Sequence, residues 1–346
     1  MPRSIMSGFP FLSDSRFLKA PAVLPEHRYA IAGLPWDGSV TNRPGARFGP
    51  RAIRQASHML CDATHPLFDV TPLGLLGDAG DVMLPHAGHA AMQAAVQAAA
   101  GDLLKRHHVV WLGGDHSVTL PVLRALRQHH GQALALLHFD AHCDTWADHF
   151  GEPSGHGTWV REAVLEGLVD PVRTVQVGIR SSAEREAREF ISARGGRVFT
   201  AREMRGLEST AALAPVVAEI RRRLHGSKGD GAENGTLDRI GEDHASPARP
   251  PRQPIYLSLD IDVLDPAFAP GTGTPEPGGL TTAQVLTLLE DLADLPFVGM
   301  DCVEVAPAYD HAELTTSAAA HFVWTYLCGN IAAEGHIASA HAAPSP

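Results

Sequence analysis

The sequence predicts a single α/β domain with a parallel sheet covered by helices on both faces, and three observations carry that prediction. Short apolar runs rich in Val, Ile and Leu recur along the chain, and longer segments with helical spacing lie between them. Several of the runs end directly in motifs that bear Asp and His. Continuous apolar strands belong to sheets buried on both faces, and strand–helix alternation joins such strands in parallel. About eight such units make a three-layer α/β/α domain. An eight-fold barrel has the same period and stays open at this point.

In chain order, strands are expected at 29–33, 73–76, 109–112, 133–139, 174–177, 197–199, 255–259 and 297–303. Helical spacing marks 87–106, 119–129, 183–193, 211–224 and 281–292. Residues 1–28 form an N-terminal arm. Residues 225–254 are polar and rich in Gly and Pro, the composition of a flexible insertion between a helix and the next strand. Residues 332–346 are small, polar and unpatterned, and are expected to be a disordered tail, which leaves 1–331 as one catalytic domain.

Composition narrows the function classes. Apolar residues make up 44% and aromatic residues 6%, which suits an aliphatic core and argues against global disorder. A net charge of −11 argues against nucleic acid or an anionic membrane as the main partner. Cys61, Cys143, Cys302 and Cys328 form no Cys-x-x-Cys pair, as in a reducing compartment. With no leader-like start and no apolar run of about 18 residues, a cytoplasmic location is expected.

The chemistry is concentrated where apolar runs end. Gly113-Gly114-Asp115-His116-Ser117 follows 109–112, Asp140-Ala141-His142-Cys143-Asp144 follows 133–139, and Asp260-Ile261-Asp262 follows 255–259. Ligands of open α/β sheets bind beyond the carboxyl ends of strands. Residues two apart on a strand share a face, so Asp140 projects with His142, and Asp260 with Asp262. Fully extended, Asp144 would lie roughly 13 Å from Asp140 at about 3.3 Å per residue, so the chain must curl near Cys143 if Asp144 joins them. A lone Asp-x-Asp is commonly a turn or a helix cap. Three such clusters, each placed directly after an apolar strand, argue for one metal site made of His116, Asp140, His142, Asp144, Asp260 and Asp262. Four gathered carboxylates repel and raise one another's pKa unless cations neutralise them, and two divalent ions balance them where one does not. The oxygen-rich set favours Mn²⁺ over Zn²⁺, with Ni²⁺ or Co²⁺ compatible with the imidazoles.

These motifs resemble the signatures of the ureohydrolases, the family of arginase, agmatinase and the guanidino-acid hydrolases. The resemblance continues through Ser258 to Pro266 and on through Ala267 to Glu276. The segment from Asn42 to Arg51 is closer to the agmatinase branch than to arginase. Cys143 departs from the pattern, where Thr is commoner, and is expected to be a small packing residue. The resemblance implies an eight-stranded, mostly parallel sheet in place of a barrel. It further implies one Mn²⁺ on His116, Asp140, Asp144 and Asp260, and a second on Asp140, His142, Asp260 and Asp262. It makes His156, in Gly155-His156-Gly157-Thr158, the proton shuttle, and Glu304, in Val303-Glu304-Val305, the carboxylate that holds a guanidinium. Asp144 would orient the attacking hydroxide and accept its proton, while Asp115 and Ser117 would orient ligands.

The implied reaction releases urea and an amine from a small cationic guanidino compound, agmatine foremost. Hydrolysis of guanidinobutyrate, guanidinopropionate or alkylated guanidines such as biguanides is the alternative. A carboxylate-tailed substrate calls for an Arg clamp, with Arg43 and Arg180 as candidates, whereas an amine-tailed one calls for acids or water. Trp146 and Trp159 are expected to narrow the pocket, with the 148–153 loop at its mouth. A single-metal deacetylase of the same fold needs only one ligand set, and a non-catalytic subunit would have lost ligands; this chain has both sets. A homo-oligomer, trimer or hexamer, is implied by the resemblance, and a paralogous partner subunit is compatible with it.

Overall fold

The computed structural model describes residues 15–86, 88–225 and 253–342, with side chains described through Gly335. Eight strands, β1 (Tyr29–Gly33), β2 (Leu76–Asp81), β3 (His108–Leu112), β4 (Leu134–Phe139), β5 (Val169–Ile179), β6 (Arg197–Thr200), β7 (Ile255–Asp260) and β8 (Phe297–Val303), form one sheet in the order β2-β1-β3-β8-β7-β4-β5-β6. Every neighbouring pair is parallel. The sheet is open, with β2 and β6 as its edges, which excludes the barrel.

Helices α1 (Gly49–Ala56), α2 (His89–Leu103), α3 (Thr119–His130), α4 (Trp159–Leu165), α5 (Arg185–Arg188), α6 (Ala201–Met204), α7 (Thr210–His225), α8 (Thr282–Asp291) and α9 (Leu314–Ala342) complete the three-layer α/β/α fold. Successive side chains of a strand enter opposite layers. In β4, Ala135, Leu137 and Phe139 pack into one apolar core, and Leu134 and Leu136 into the other. Each such fully buried Leu or Phe side chain contributes about 1.5–3 kcal/mol of transfer free energy. Among the described residues, no helix is long and apolar enough to cross a membrane.

Several element boundaries differ from the sequence reading. The second strand is not 73–76 but Leu76–Asp81, and Leu73 and Leu75 are exposed. Its sequence LGDAGD hides from an apolar criterion because the fully buried Arg54 pairs with Asp78 and Asp81. The expected helix 183–193 shortens to α5 plus one 3-10 turn, Ser192–Arg194, since Phe190 and Ile191 turn inward to the core between them. Residues 332–342, read as the beginning of a loose tail, instead continue α9. That stretch is rich in Ala, the strongest helix former, and its Glu334 pairs with Arg28 at 2.5 Å. Residues 343–346, most of the 225–254 insertion and the first 14 residues of the N-terminal arm lie outside the described residues. Residues 15–28 of the arm pack on β2: Phe17 is buried, and its amide donates to Asp78 Oδ2 at 2.8 Å.

Candidate metal centre

The four central strands, β3, β8, β7 and β4, are neighbours, and each ends at a predicted site residue. After β3 the chain passes so close to Trp36 that a Cβ on Gly114 would collide with its carbonyl oxygen, so only glycine fits. Asp115 then caps a one-turn 3-10 helix, His116–Val118, accepting from Ser117 N at 3.1 Å and from Ser39 N at 2.8 Å. These bonds spend the Asp115 carboxylate on holding the turn.

That turn delivers the buried His116. Its Nε2 bonds Ser258 Oγ at 2.8 Å, and Ser258 donates in turn to Asp301 Oδ1 at 2.7 Å. Since the Ser proton goes to Asp301, Ser258 accepts from His116, and in the neutral imidazole that a metal requires Nδ1 carries the ring's lone pair. Among the described residues this Nδ1 has no hydrogen-bond partner, yet it faces three carboxylate oxygens: Asp144 Oδ2 at 3.1 Å, Asp140 Oδ2 at 3.2 Å and Asp260 Oδ2 at 3.2 Å. Four electron-rich atoms converging without a donor fit a cation between them.

A second set lies alongside. His142 Nδ1 is 3.3 Å from Asp140 Oδ1 and 3.1 Å from Asp262 Oδ2. Asp140 therefore offers one oxygen to each set. Asp260 gives Oδ2 to the His116 set, while its Oδ1 accepts the Asp262 amide at 2.8 Å. Asp144 reaches the cluster by the bend that its spacing demanded: β4 ends at Phe139, and Asp144 adopts the left-handed region with φ 54°. All six predicted ligand residues thus meet in one place.

Electrostatics point the same way. Burial, followed by Asp262 and Asp140, pushes Asp260 well above the usual carboxylate range. Burial and the Asp140 charge likewise raise Asp144. Burial works on Asp140 too, but the imidazoles of His116, His138 and His142 around it hold it well below. Carboxylates driven in opposite directions within one cavity cannot all ionise without added positive charge. The residues present therefore fit a pair of divalent cations.

Glu304 follows β8 with φ 61°. Its Oε1 accepts from His116 N and from His156 Nδ1, each at 2.8 Å, while Oε2 is buried without a partner. His156 Nε2 contacts Thr41 Oγ1 at 3.1 Å. Burial would lower the His156 pKa, but the Glu304 carboxylate more than reverses this, raising it to about 9. A cavity of about 600 Å³ opens onto His116, His142, Asp144, Asp260, His156 and Glu304. Trp146 and Phe150 form part of its wall, with Phe150 85% exposed.

Three groups in the sequence reading take other places. Trp159 is not a pocket wall but fully buried, and its Nε1–H donates to Asp144 Oδ2 at 2.7 Å. Arg43 lies over the Tyr309 ring at 5.1 Å. Arg180 spends its guanidinium on backbone carbonyls, among them those of Asp262 at 2.7 Å and Glu276 at 2.6 Å, so neither arginine lines the cavity. Cys143 is buried, as a packing residue should be. Sequence reasoning missed His138, whose Nε2 lies 2.8 Å from Asp140 Oδ2. The period-two argument that paired Asp140 with His142 would have placed it on their face.

Fold and site together define a metal-dependent hydrolase built on an open parallel sheet. The arginase family profile matches residues 27–230 and 233–329. An agmatinase of Chromobacterium violaceum is 41% identical over 304 residues, covering 86% of this chain and 82% of the relative. The proclavaminate amidinohydrolase of Streptomyces clavuligerus is 39% identical over 292 residues, covering 83% and 82%. Among solved structures, a hypothetical agmatinase of Burkholderia thailandensis superposes with a TM-score of 0.78 at 34% identity, over 93% of this chain and 92% of that one. The chain belongs to the arginase family.

Proposed function

We propose that this protein hydrolyses the guanidino C–N bond of agmatine, giving urea and putrescine. One observation carries the choice of an amine-tailed substrate: Asp148, Glu184 and Glu276 line the cavity in addition to the metal-cluster acids, and no Lys or Arg is among the residues that line it. A distal ammonium is attracted by those carboxylates, whereas the carboxylate tail of a guanidino acid is repelled by them and finds no cationic partner. The names of the agmatinase relatives support the same reading.

His116, Asp140, Asp144 and Asp260 would hold one divalent ion, and Asp140, His142 and Asp262, with Asp260 alongside, a second. Mn²⁺ suits this oxygen-rich set best. Such a pair, when bound, lowers the pKa of a shared water so that hydroxide is available near neutral pH. The partnerless Glu304 Oε2 takes an N–H of the planar guanidinium and fixes its carbon for attack. Asp144, steadied by the Trp159 N–H, accepts the nucleophile's proton. His156, protonated through its contact with Glu304, supplies the proton with which the amine leaves. By family likeness the chain is proposed to work as a cytoplasmic homo-oligomer, which light scattering can check.

Urea release from the Mn²⁺-loaded protein should be highest with agmatine, compared with arginine, 4-guanidinobutyrate, 3-guanidinopropionate and metformin, and should fall at least about 10²–10³-fold in Asp140→Asn. A higher kcat/KM on a carboxylate-tailed or methylated guanidine would overturn the substrate reading.

A further inference from the structure

His138 is fully buried beneath the cluster and is not one of the residues assigned above to hold an ion. Its surroundings determine which ring nitrogen carries the proton. Gln176, also buried, places its Nε2 2.8 Å from the Cys143 carbonyl oxygen and 3.0 Å from His138 Nδ1. A carbonyl oxygen can only accept, so the amide nitrogen, not its oxygen, must occupy that position. The same N–H₂ group therefore donates to His138 Nδ1, which must bear a lone pair. The proton is then on Nε2, 2.8 Å from Asp140 Oδ2, and donates to it. The imidazole ring is held edge-on against Trp159, at 5.1 Å and 78°, and against His116, at 5.2 Å and 66°.

Asp140 is the carboxylate that both ligand sets share, and each of its oxygens has one donor and one metal-facing side. Oδ1 accepts the His142 amide at 2.6 Å and faces His142 Nδ1; Oδ2 accepts from His138 and faces His116 Nδ1. Two donors fix the carboxylate plane. Only the His138 donor acts on the oxygen that belongs to the His116 set.

We propose that Gln176 and His138 form a positioning relay: the Cys143 carbonyl orients the Gln176 amide, the amide selects the Nε2–H tautomer of His138, and that tautomer aims Asp140 Oδ2 at the ion on the His116 side. The relay governs retention of that ion and leaves the His142-side ion largely unaffected. A fully satisfied core histidine with only a packing role would carry no such preference between the two ions.

The inference rests on the two-ion reading of the site, and its test separates the two. Metal-free wild type, His138→Phe and Gln176→Glu are titrated with Mn²⁺ alone, and binding is followed by calorimetry and by the electron paramagnetic resonance of the bound ions. Two ions taken up by wild type establish the site on which the relay acts; fewer overturn both readings. In His138→Phe one of the two ions should bind about 10- to 100-fold more weakly, the scale of a lost outer partner of a metal ligand. The other should stay within about threefold, and the spin-coupled pair should give way to an isolated-ion spectrum at limiting Mn²⁺. Gln176→Glu keeps the size but replaces the donor by an acceptor, so it should weaken the same ion even if His138→Phe does not fold. Long-range ¹H–¹⁵N spectra of the metal-free protein should show the proton on His138 Nε2 in wild type and on Nδ1 in Gln176→Glu. Unchanged affinities, equal weakening of both ions, or a wild-type proton on Nδ1 would each overturn the relay.

Discussion

Two groups of buried carboxylates in this molecule are neutralised in opposite ways. At the edge of the sheet, Asp78 and Asp81 of β2 close on Arg54 of α1: Nε and Nη2 meet the two Asp78 oxygens at 2.9 and 3.0 Å, and Nη1 meets Asp81. Amides of Phe17 and Gly80, each at 2.8 Å, satisfy what remains of Asp78. At the carboxyl ends of β4 and β7, Asp140, Asp144, Asp260 and Asp262 are equally buried, yet among the described residues no Arg or Lys pairs with their carboxylates, Arg180 reaching only the Asp262 main-chain carbonyl, and the His116 nitrogen in their midst has no hydrogen-bond partner. The first cluster brings its own cation and its amides, and it joins the N-terminal arm, α1 and β2. The second is left short of positive charge, which is a cost to the fold unless a ligand supplies it. Local compensation marks structure, and its absence marks function.

Breaking the edge cluster should show the largest effect on the fold itself. Arg54→Leu leaves two buried carboxylates uncompensated and should cost about 3–5 kcal/mol of stability in urea unfolding. The protein that does fold should still take up Mn²⁺. The converse change, Asp140→Asn, should lower kcat/KM at least about 10²–10³-fold, the scale of losing one fixed electrostatic partner at a reacting centre. Because burial and its acidic neighbours push the Asp260 carboxyl up, Asp260→Asn should leave the metal-free melting temperature unchanged or raised. If Asp260→Asn unfolded the protein and Arg54→Leu abolished metal binding, the comparison would be wrong.

Metal removal should act on one cluster only. Chelation should lower unfolding free energy by about 3–4 kcal/mol for each bound ion, relative to protein with Mn²⁺ at 100 to 1,000 times its Kd. Arg54→Leu should show the same increment, and Asp140→Asn a smaller one. The smallest effect concerns pH. His156 has a folded pKa of about 9 against an ordinary 6.5. Its contribution, on the order of 3 kcal/mol in the metal-free protein, is therefore complete below pH 6.5 and fades as pH rises through about 9. Unfolding of wild type and His156→Gln at pH 6 and pH 9.5 should differ most at the lower pH.

The contrast also accounts for what could be read from the sequence. Strands β4, β7 and β8 are continuous apolar runs ending in Asp or Glu, so both their layer and their chemistry were legible, and the bend at Asp144 followed from chain reach. Strand β2 was misplaced because its signal is polar: Asp78 and Asp81 look like loop residues until Arg54, distant in sequence, is folded onto them. The small, polar segment 332–342 gave no period, although its Ala content favours the helix it forms. Trp146 and Trp159 fall in one segment beside the site and look alike in sequence; only packing shows the Trp159 indole N–H turned onto Asp144. His138 stood in plain view on the Asp140 face, but its role depends on Gln176, 38 residues away.

The second cluster lacks cations of its own and is proposed to bind two. The decisive experiment is calorimetric titration of the metal-free protein with Mn²⁺, checked by elemental analysis. Two ions per chain are expected in wild type and in any Arg54→Leu protein that folds, and fewer than two in Asp140→Asn. No uptake by wild type, or equal uptake by Asp140→Asn, would contradict that proposal.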